Sequence, residues 1–178
     1  MVLKEIEAMT EKEFLPIIGP DRGRVLIKVI RKTGPKRILE VGTLFGYSTI
    51  LMAKELDASA CLTTIEIHSD RAKLARENIR KADVHPKIDV IVGDALKVIP
   101  KLIGKFDMVF IDAAKEEYSD YLKLFEKKLH KGSVIVADNV GIFADQTKEY
   151  LDYVRSSGKY TSEYTPFGED GVEVSVKL

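Results

Sequence analysis

Four side chains stand where two short apolar runs give out: Asp112 and Lys115 in FIDAAKEEY, and Asp138 and Asn139 in VIVADNV. Runs of this kind, short and almost continuously apolar, read as strands buried on both faces. Ligands of an open parallel sheet gather outside the carboxyl ends of its strands, so these groups are expected in one crevice. Two carboxylates and an amide, with no His or Cys beside them, form a set of hard oxygen donors. Such a set suits a divalent cation that keeps water or substrate oxygens, Mg²⁺ first and Ca²⁺ or Mn²⁺ next. Lys115 follows Asp112 by three positions, so one turn of chain returns its nitrogen to the cation, whose charge favours the neutral amine. Each segment alone also has a plainer reading, Asp112 as a helix cap and Asp138 with Asn139 as turn residues.

A second chemical feature lies earlier, in ILEVGTLFGYSTI, which reads as a buried strand, a glycine turn and a helix. Gly42 and Gly46 allow positive φ and close ligand approach, and a helix starting near Tyr47 presents free backbone N–H groups. The G-x-x-x-G spacing lacks one glycine of the dinucleotide fingerprint, which weakens a reading as an NAD site without excluding it. The next strand ends in Glu66, 24 positions beyond Gly42, close to the roughly 20 residues at which an acid accepts both ribose hydroxyls. A nucleoside cofactor is the consequence. A tight strand-to-helix turn with a surface glutamate is the alternative.

Strands are expected at 38–41, 61–67, 88–92, 107–111 and 133–137. Between them run segments of helical period: 70–81, capped by Ser69, and a stretch after Asp112 carrying Tyr118, Tyr121, Leu122, Phe125 and Leu129 on one stripe. Lys127, Lys128, His130 and Lys131 would complement the C-terminus of that helix. Two helices, 2–14 and 21–32, open the chain, and Gly34 and Pro35 stop the second. After a last helix at 145–155, KYTSEYT and VEVSVKL form an antiparallel hairpin about 166–171. Alternation of strand and helix implies parallel strands joined by right-handed crossovers. One domain spans 1–178, with N-terminal helices in 1–34, the cofactor and metal core in 35–140 and the closing elements in 141–178.

The motifs quoted resemble those of the class I S-adenosylmethionine-dependent methyltransferases. E-V-G-T-x-x-G-Y-S is similar to the cofactor turn of the metal-dependent catechol and caffeoyl-CoA O-methyltransferase group, and D-x-x-K with D-N matches that group's metal site. The resemblance runs from about Ile18 to the C-terminus. It implies a doubly wound, mostly parallel seven-stranded α/β sheet, Rossmann-like, with a C-terminal antiparallel hairpin. It implies S-adenosylmethionine as cofactor, with Glu40 near the methionine ammonium and Gly42, Thr43, Gly46 and Ser48 around the amino acid part. Glu66 would hold the ribose, Ala95 would lie beside the adenine, and Ile18 would give a backbone contact. Asp112, counted also with the cofactor contacts, would hold the metal with Asp138 and Asn139, and Lys115 would be the base.

Oxygen methylation of an acceptor with neighbouring oxygens follows from that set. Ala113 and Ala114 stand where the animal catechol enzymes place bulky rings, and the chain has no Trp, which points away from a catechol-specific pocket. The D-A-A-K form resembles bacterial members of the group, including those that methylate 5-hydroxyuridine in tRNA, so both a small-molecule acceptor and tRNA are carried. An NAD-dependent oxidoreductase and a non-catalytic nucleoside-binding protein are the readings from other classes. His68, His85 and His130 receive no role, and Glu169 or Asp170 is either an acceptor contact or a turn residue.

Composition narrows the classes. With 178 residues, 28 Lys+Arg against 28 Asp+Glu and 45% hydrophobic residues, the chain has enough apolar matter for a core without staples. A neutral total argues against tight binding driven by phosphate neutralisation alone. A single cysteine, Cys61, forms no internal disulfide and is expected as a buried thiol in a reducing, cytoplasmic setting. Charges interrupt the first twenty residues, so neither a signal peptide nor a membrane span is expected there. The resemblance adds an expectation of a homodimer.

Overall fold

The computed structural model describes residues 2–10 and 15–178. The chain order is α1 (Val2–Thr10), α2 (Gly19–Thr33), β1 (Arg37–Val41), α3 (Tyr47–Ala53), β2 (Cys61–Glu66), α4 (Ser69–Ala82) and β3 (Lys87–Val92). Then come α5 (Ala95–Val98), β4 (Phe106–Ile111), α6 (Tyr118–Phe125), β5 (Leu129–Ala137), α7 (Lys148–Ser156), β6 (Tyr160–Phe167) and β7 (Asp170–Lys177). The sheet order is β3-β2-β1-β4-β5-β7-β6. β1 to β5 pair in parallel, and β7 runs antiparallel to both β5 and β6.

The period of two along each strand sorts the core into two layers. Leu39, Val41, Val109, Ile111, Ile135 and Ala137 face α6 and α7, while Ile38, Met108, Phe110, Val134 and Val136 face α1, α2 and α3. Strands covered on both faces must be apolar at every position, which is why β1, β4 and β5 lack alternation. Leu39, Val109 and Ile135 are fully buried, and truncating any one to Ala would cost about 2–5 kcal/mol through lost burial and the cavity left behind.

Several local expectations need correction. β3 is the sheet edge and its residues are exposed or half-buried rather than enclosed; Val92 is 42% exposed. Cys61 is exposed, because it is the first residue of β2 and lies at the strand's entry end. His68, in extended conformation, occupies the N-cap position of α4, and Ser69 is already helical and does not cap it. The helix after Asp112 stops at Phe125, passes through a 3₁₀ turn at Glu126–Lys128, and Leu129, His130 and Lys131 belong to β5. His130 therefore meets Asp107, at 2.8 Å, instead of a helix C-terminus. The last helix begins at Lys148, three residues later than expected, after turns. In the hairpin the strands extend to Phe167 and from Asp170, leaving Gly168 and Glu169 as the turn. The expected continuation of α1 through 11–14 lies outside the described residues.

Candidate active site

A cleft of roughly 750 Å³ opens at the carboxyl ends of β1, β2, β4 and β5. Its floor depends on the turn after β1. The Gly42 N–H continues the sheet to the Ile65 carbonyl, 3.0 Å away, and its φ of +102° suits glycine. A Cβ there would lie 2.0 Å from the Asp112 carbonyl oxygen, so no other residue fits. Gly46, with φ +83°, starts α3 but does not line the cleft. Thr43 and Ser48 do line it, and the Thr43 hydroxyl is fixed against that of Thr64 at 2.5 Å.

Glu66 ends β2 with both carboxylate oxygens held by backbone donors, the Leu44 N–H at 2.8 Å and the His68 N–H at 3.0 Å. Each oxygen keeps a lone pair for a ligand hydroxyl. Beyond it lie Asp94 and Ala95, and Asp94 caps α5 by accepting from the Leu96 N–H at 2.9 Å. Ile18, at the N-cap of α2, also lines the cleft, with its carbonyl accepting from Arg22 Nε at 3.3 Å.

Glu40 sits behind the wall, not on it. It is fully buried, and its oxygens accept from the hydroxyls of Ser48 and Thr49, each at 2.5 Å. Burial pushes its pKa up to about 7, against the hydroxyl donors, with a further push from the Asp112 charge. Of the two hydroxyls bonded to Glu40, that of Ser48 belongs to a residue lining the cleft.

At the other end the four residues of the two acidic segments converge. The Lys115 Nζ donates to Asp112 Oδ1 at 2.7 Å and to the Tyr118 hydroxyl at 2.9 Å. That hydroxyl lies 3.1 Å from the Ile111 carbonyl and 3.0 Å from that of Asp138. Its one proton is directed at these carbonyls, so its lone pairs face Lys115. Asp138 is fully buried, and neither carboxylate oxygen has a hydrogen-bond partner. Burial and then the neighbouring Asp112 charge push its pKa upward, while Arg22 and Lys115 oppose this. Asn139 holds φ +58°, and its Nδ2 donates to Asp170 Oδ2 at 2.6 Å. The amide nitrogen is thereby committed, which leaves Oδ1 as the atom available to a cation.

Two carboxylates and an amide carbonyl are a donor set that would fit a hard cation, and the buried Asp138 oxygens, which accept no hydrogen bond and have the Arg22 guanidinium 3.5 Å away, would be further stabilised by one. Among the described residues no group of three or more His, Cys, Asp or Glu side chains could hold a metal ion, so a cation at this place would need the amide as a third donor. All of the expected site residues except Glu40, Gly46 and Asp138 line the cleft itself, and Asp138 is enclosed directly behind Asn139.

Two participants carry no motif. Arg22, in the first turn of α2, has its Nε 3.5 Å from Asp138 Oδ1 and pairs through Nη1 with Asp170. Asp170 opens β7 and also accepts from the backbone N–H groups of Gly141 and Ile142, at 3.3 and 3.2 Å. Of the two acids in the hairpin turn region, Asp170 faces the site and Glu169 is exposed. Tyr118 had a visible signal as a core stripe residue, but nothing in its spacing marks the hydroxyl that steadies Lys115.

A strand-glycine turn-helix unit, an acid ending the second strand and a switch in strand order beside them define a nucleoside-cofactor α/β fold. Comparisons carry this further. A family model described as O-methyltransferase matches residues 1–155. Catechol O-methyltransferase B of Danio rerio is 37% identical over 94% of this chain, which spans 67% of that protein. The structure of an O-methyltransferase from Bacillus cereus with S-adenosylhomocysteine aligns with TM-score 0.89 and 26% identity, covering 99% of this chain and 90% of that one. One from Streptomyces achromogenes, involved in tomaymycin synthesis and bound to S-adenosylmethionine, aligns with TM-score 0.86 and 27% identity over 99% and 89%. The chain belongs to the O-methyltransferase family, among the class I S-adenosylmethionine-dependent methyltransferases. An oxidoreductase and a non-catalytic binding protein are set aside by that membership. No helix among the described residues is long and apolar enough to cross a membrane.

Proposed function

We propose that the protein transfers a methyl group from S-adenosylmethionine to a hydroxyl oxygen of a small aromatic acceptor that carries two neighbouring oxygens. Asp112, Asp138 and Asn139 hold a divalent cation, Mg²⁺ before Mn²⁺ or Ca²⁺, and Lys115 is the base. The observation that carries this reading is the pair of unpartnered, buried Asp138 oxygens beside Lys115 at one end of a cleft whose other end is the Gly42–Glu66 cradle. When bound, the cation supplies Lewis acidity toward the acceptor oxygens and fixes their position against the electrophilic methyl group.

The chain's own residues do the rest. Glu66, already oriented by two backbone donors, accepts from the cofactor's ribose. Thr43 and Ser48 surround the amino acid part, with Gly42 allowing close approach, and Ala95 packs beside the base. Lys115 Nζ takes the proton of the acceptor hydroxyl, and the Tyr118 hydroxyl and Asp112 hold that nitrogen in place meanwhile. Residues 1–178 act as one unit in this scheme, since the family match ends at residue 155 whereas Asp170, which orients Asn139, lies beyond it.

The relatives restore catechol as the first acceptor to test. Ala113 and Ala114 line the cleft with small side chains, which favours a roomier pocket than a single-substrate enzyme needs. Methyl transfer with Mg²⁺ to catechols and hydroxycinnamoyl thioesters, each with and without EDTA, tests the proposal. Transfer that EDTA does not abolish, or a Lys115→Ala variant with full activity, would overturn it. Transfer confined to hydroxyuridine-containing tRNA would overturn the small-molecule assignment alone.

A further inference from the structure

Each acid of the proposed cation pocket already has an internal cation beside it. Lys115 lies on Asp112 at 2.7 Å through a hydrogen bond, and Arg22 lies 3.5 Å from Asp138. The second contact differs in kind. Arg22 Nε donates to the Ile18 carbonyl at 3.3 Å and Nη1 to Asp170, and neither Asp138 oxygen receives a hydrogen bond. The guanidinium therefore faces Asp138 as a charge without a hydrogen bond to it, while Nε and Nη1 donate to the Ile18 carbonyl and to Asp170. Such a pairing between a buried carboxylate and a partly exposed guanidinium is screened less than a surface pair and has no hydrogen bond to break on release.

We infer that Arg22 is the internal counter-ion of Asp138 in the proposed cation pocket and competes electrostatically with the cation for that carboxylate. It is a positioning and tuning residue: it keeps the pocket charge-balanced before loading and sets how tightly the cation is held. The inference rests on the proposal that Asp138 is a cation ligand. Arg22 belongs to α2 and Asp170 to β7, so the same guanidinium ties the start of the chain to the closing hairpin across the pocket's rim. Removing the charge takes away both the competing pair and the repulsion of a bound dication by a neighbouring guanidinium.

The experiment is a Mn²⁺ titration of the full chain without acceptor, reading free Mn²⁺ by electron paramagnetic resonance, together with thermal melts. Arg22→Gln is expected to tighten Mn²⁺ binding by roughly tenfold, the scale of one partly buried charge interaction. Its cation-free form melts lower than the wild type, while saturating Mn²⁺ raises its melting temperature further than it raises the wild type's. Arg22→Lys, which keeps the charge, stays within about threefold of the wild-type affinity. Arg22→Met removes the charge but keeps the alkyl stem, and provides a second charge-free variant should the first fail to fold.

Asp138→Asn separates the two levels of the argument. If Asp138→Asn abolishes Mn²⁺ binding and the charge-free Arg22 variants bind no more tightly than wild type, the counter-ion role is wrong and the cation site stands. If Asp138→Asn leaves Mn²⁺ binding intact, or no form binds Mn²⁺, the cation site is wrong and the inference falls with it. A loss of S-adenosylhomocysteine affinity in Arg22→Gln with Mn²⁺ affinity unchanged would reassign Arg22 to the cofactor and also overturn the inference.

Discussion

Replacing Glu40 by Gln tests the electrostatics of the cofactor wall directly. Glu40 is fully buried, and its pKa is pushed from the usual 4.5 up to about 7, first by burial. The folded value lies above the unfolded one. The stability contributed by the protonated carboxyl is therefore complete below pH 4.5 and is lost as pH rises through 7. A displacement of this size corresponds to about 3 kcal/mol. A glutamine keeps an acceptor for one hydroxyl and does not titrate, so the variant escapes this loss. Denaturant unfolding at pH 5, 6, 7 and 8 should show the variant gaining on the wild type with each step, by up to about 3 kcal/mol at pH 8. The melting temperature at pH 8 should then be higher by about 6–12 °C for a domain of this size. Calorimetry should show the opposite for function: S-adenosylhomocysteine binds several-fold more weakly, because Ser48 has lost its charged acceptor. Parallel pH–stability curves for the two proteins would refute the reasoning, since Glu40 would then be ionised at no cost.

Lys115→Met removes the proposed base and should lower kcat about 100-fold or more in the Mg²⁺-dependent assay, while Mn²⁺ titration shows that the cation site persists. Gly42→Ala places a Cβ 2.0 Å from a carbonyl oxygen, and should both lower the melting temperature and eliminate S-adenosylhomocysteine binding by calorimetry. Tyr118→Phe removes the one hydroxyl proton shared between the Ile111 and Asp138 carbonyls, of which the first keeps the Asp138 N–H, and should cost about 1–2 kcal/mol in denaturant unfolding. It should also lower kcat with little change in acceptor KM, because Lys115 loses a partner.

The sequence made the parallel core legible for a physical reason. Strands covered on both faces must be apolar throughout, and ILEV, DMVFI and SVIVA have that character. The same criterion failed for β3, whose apolar residues lie at a sheet edge that pattern alone does not reveal. Helix ends were less visible: the stripe through Leu129 continues across a 3₁₀ turn into a strand, because Leu129 is buried in either conformation. The acidic residues at strand ends were readable because parallel topology forces them together. Glu40 stood out in the sequence, but its depth was not legible there, since a motif gives neighbours along the chain and not the layer in which a side chain lies. Asp170 was readable only as one of two hairpin acids, and its pairing with Arg22 had no signal. They are 148 positions apart, and in the sequence Arg22 is one more charge on the polar side of an amphipathic helix.

The position of β7 between β5 and β6 bears on synthesis of the chain. Residues 170–177 are the antiparallel partner of β5 and carry the carboxylate that orients Asn139. On the ribosome, the segment 138–139 emerges some thirty residues before that partner, so for several seconds of translation β5 is an open edge. A vectorially made chain thus exposes an apolar strand until its hairpin arrives, and the site becomes competent only after the last strand has docked. Gly42, just after β1, and Glu66, at the end of β2, are by contrast synthesised well before then.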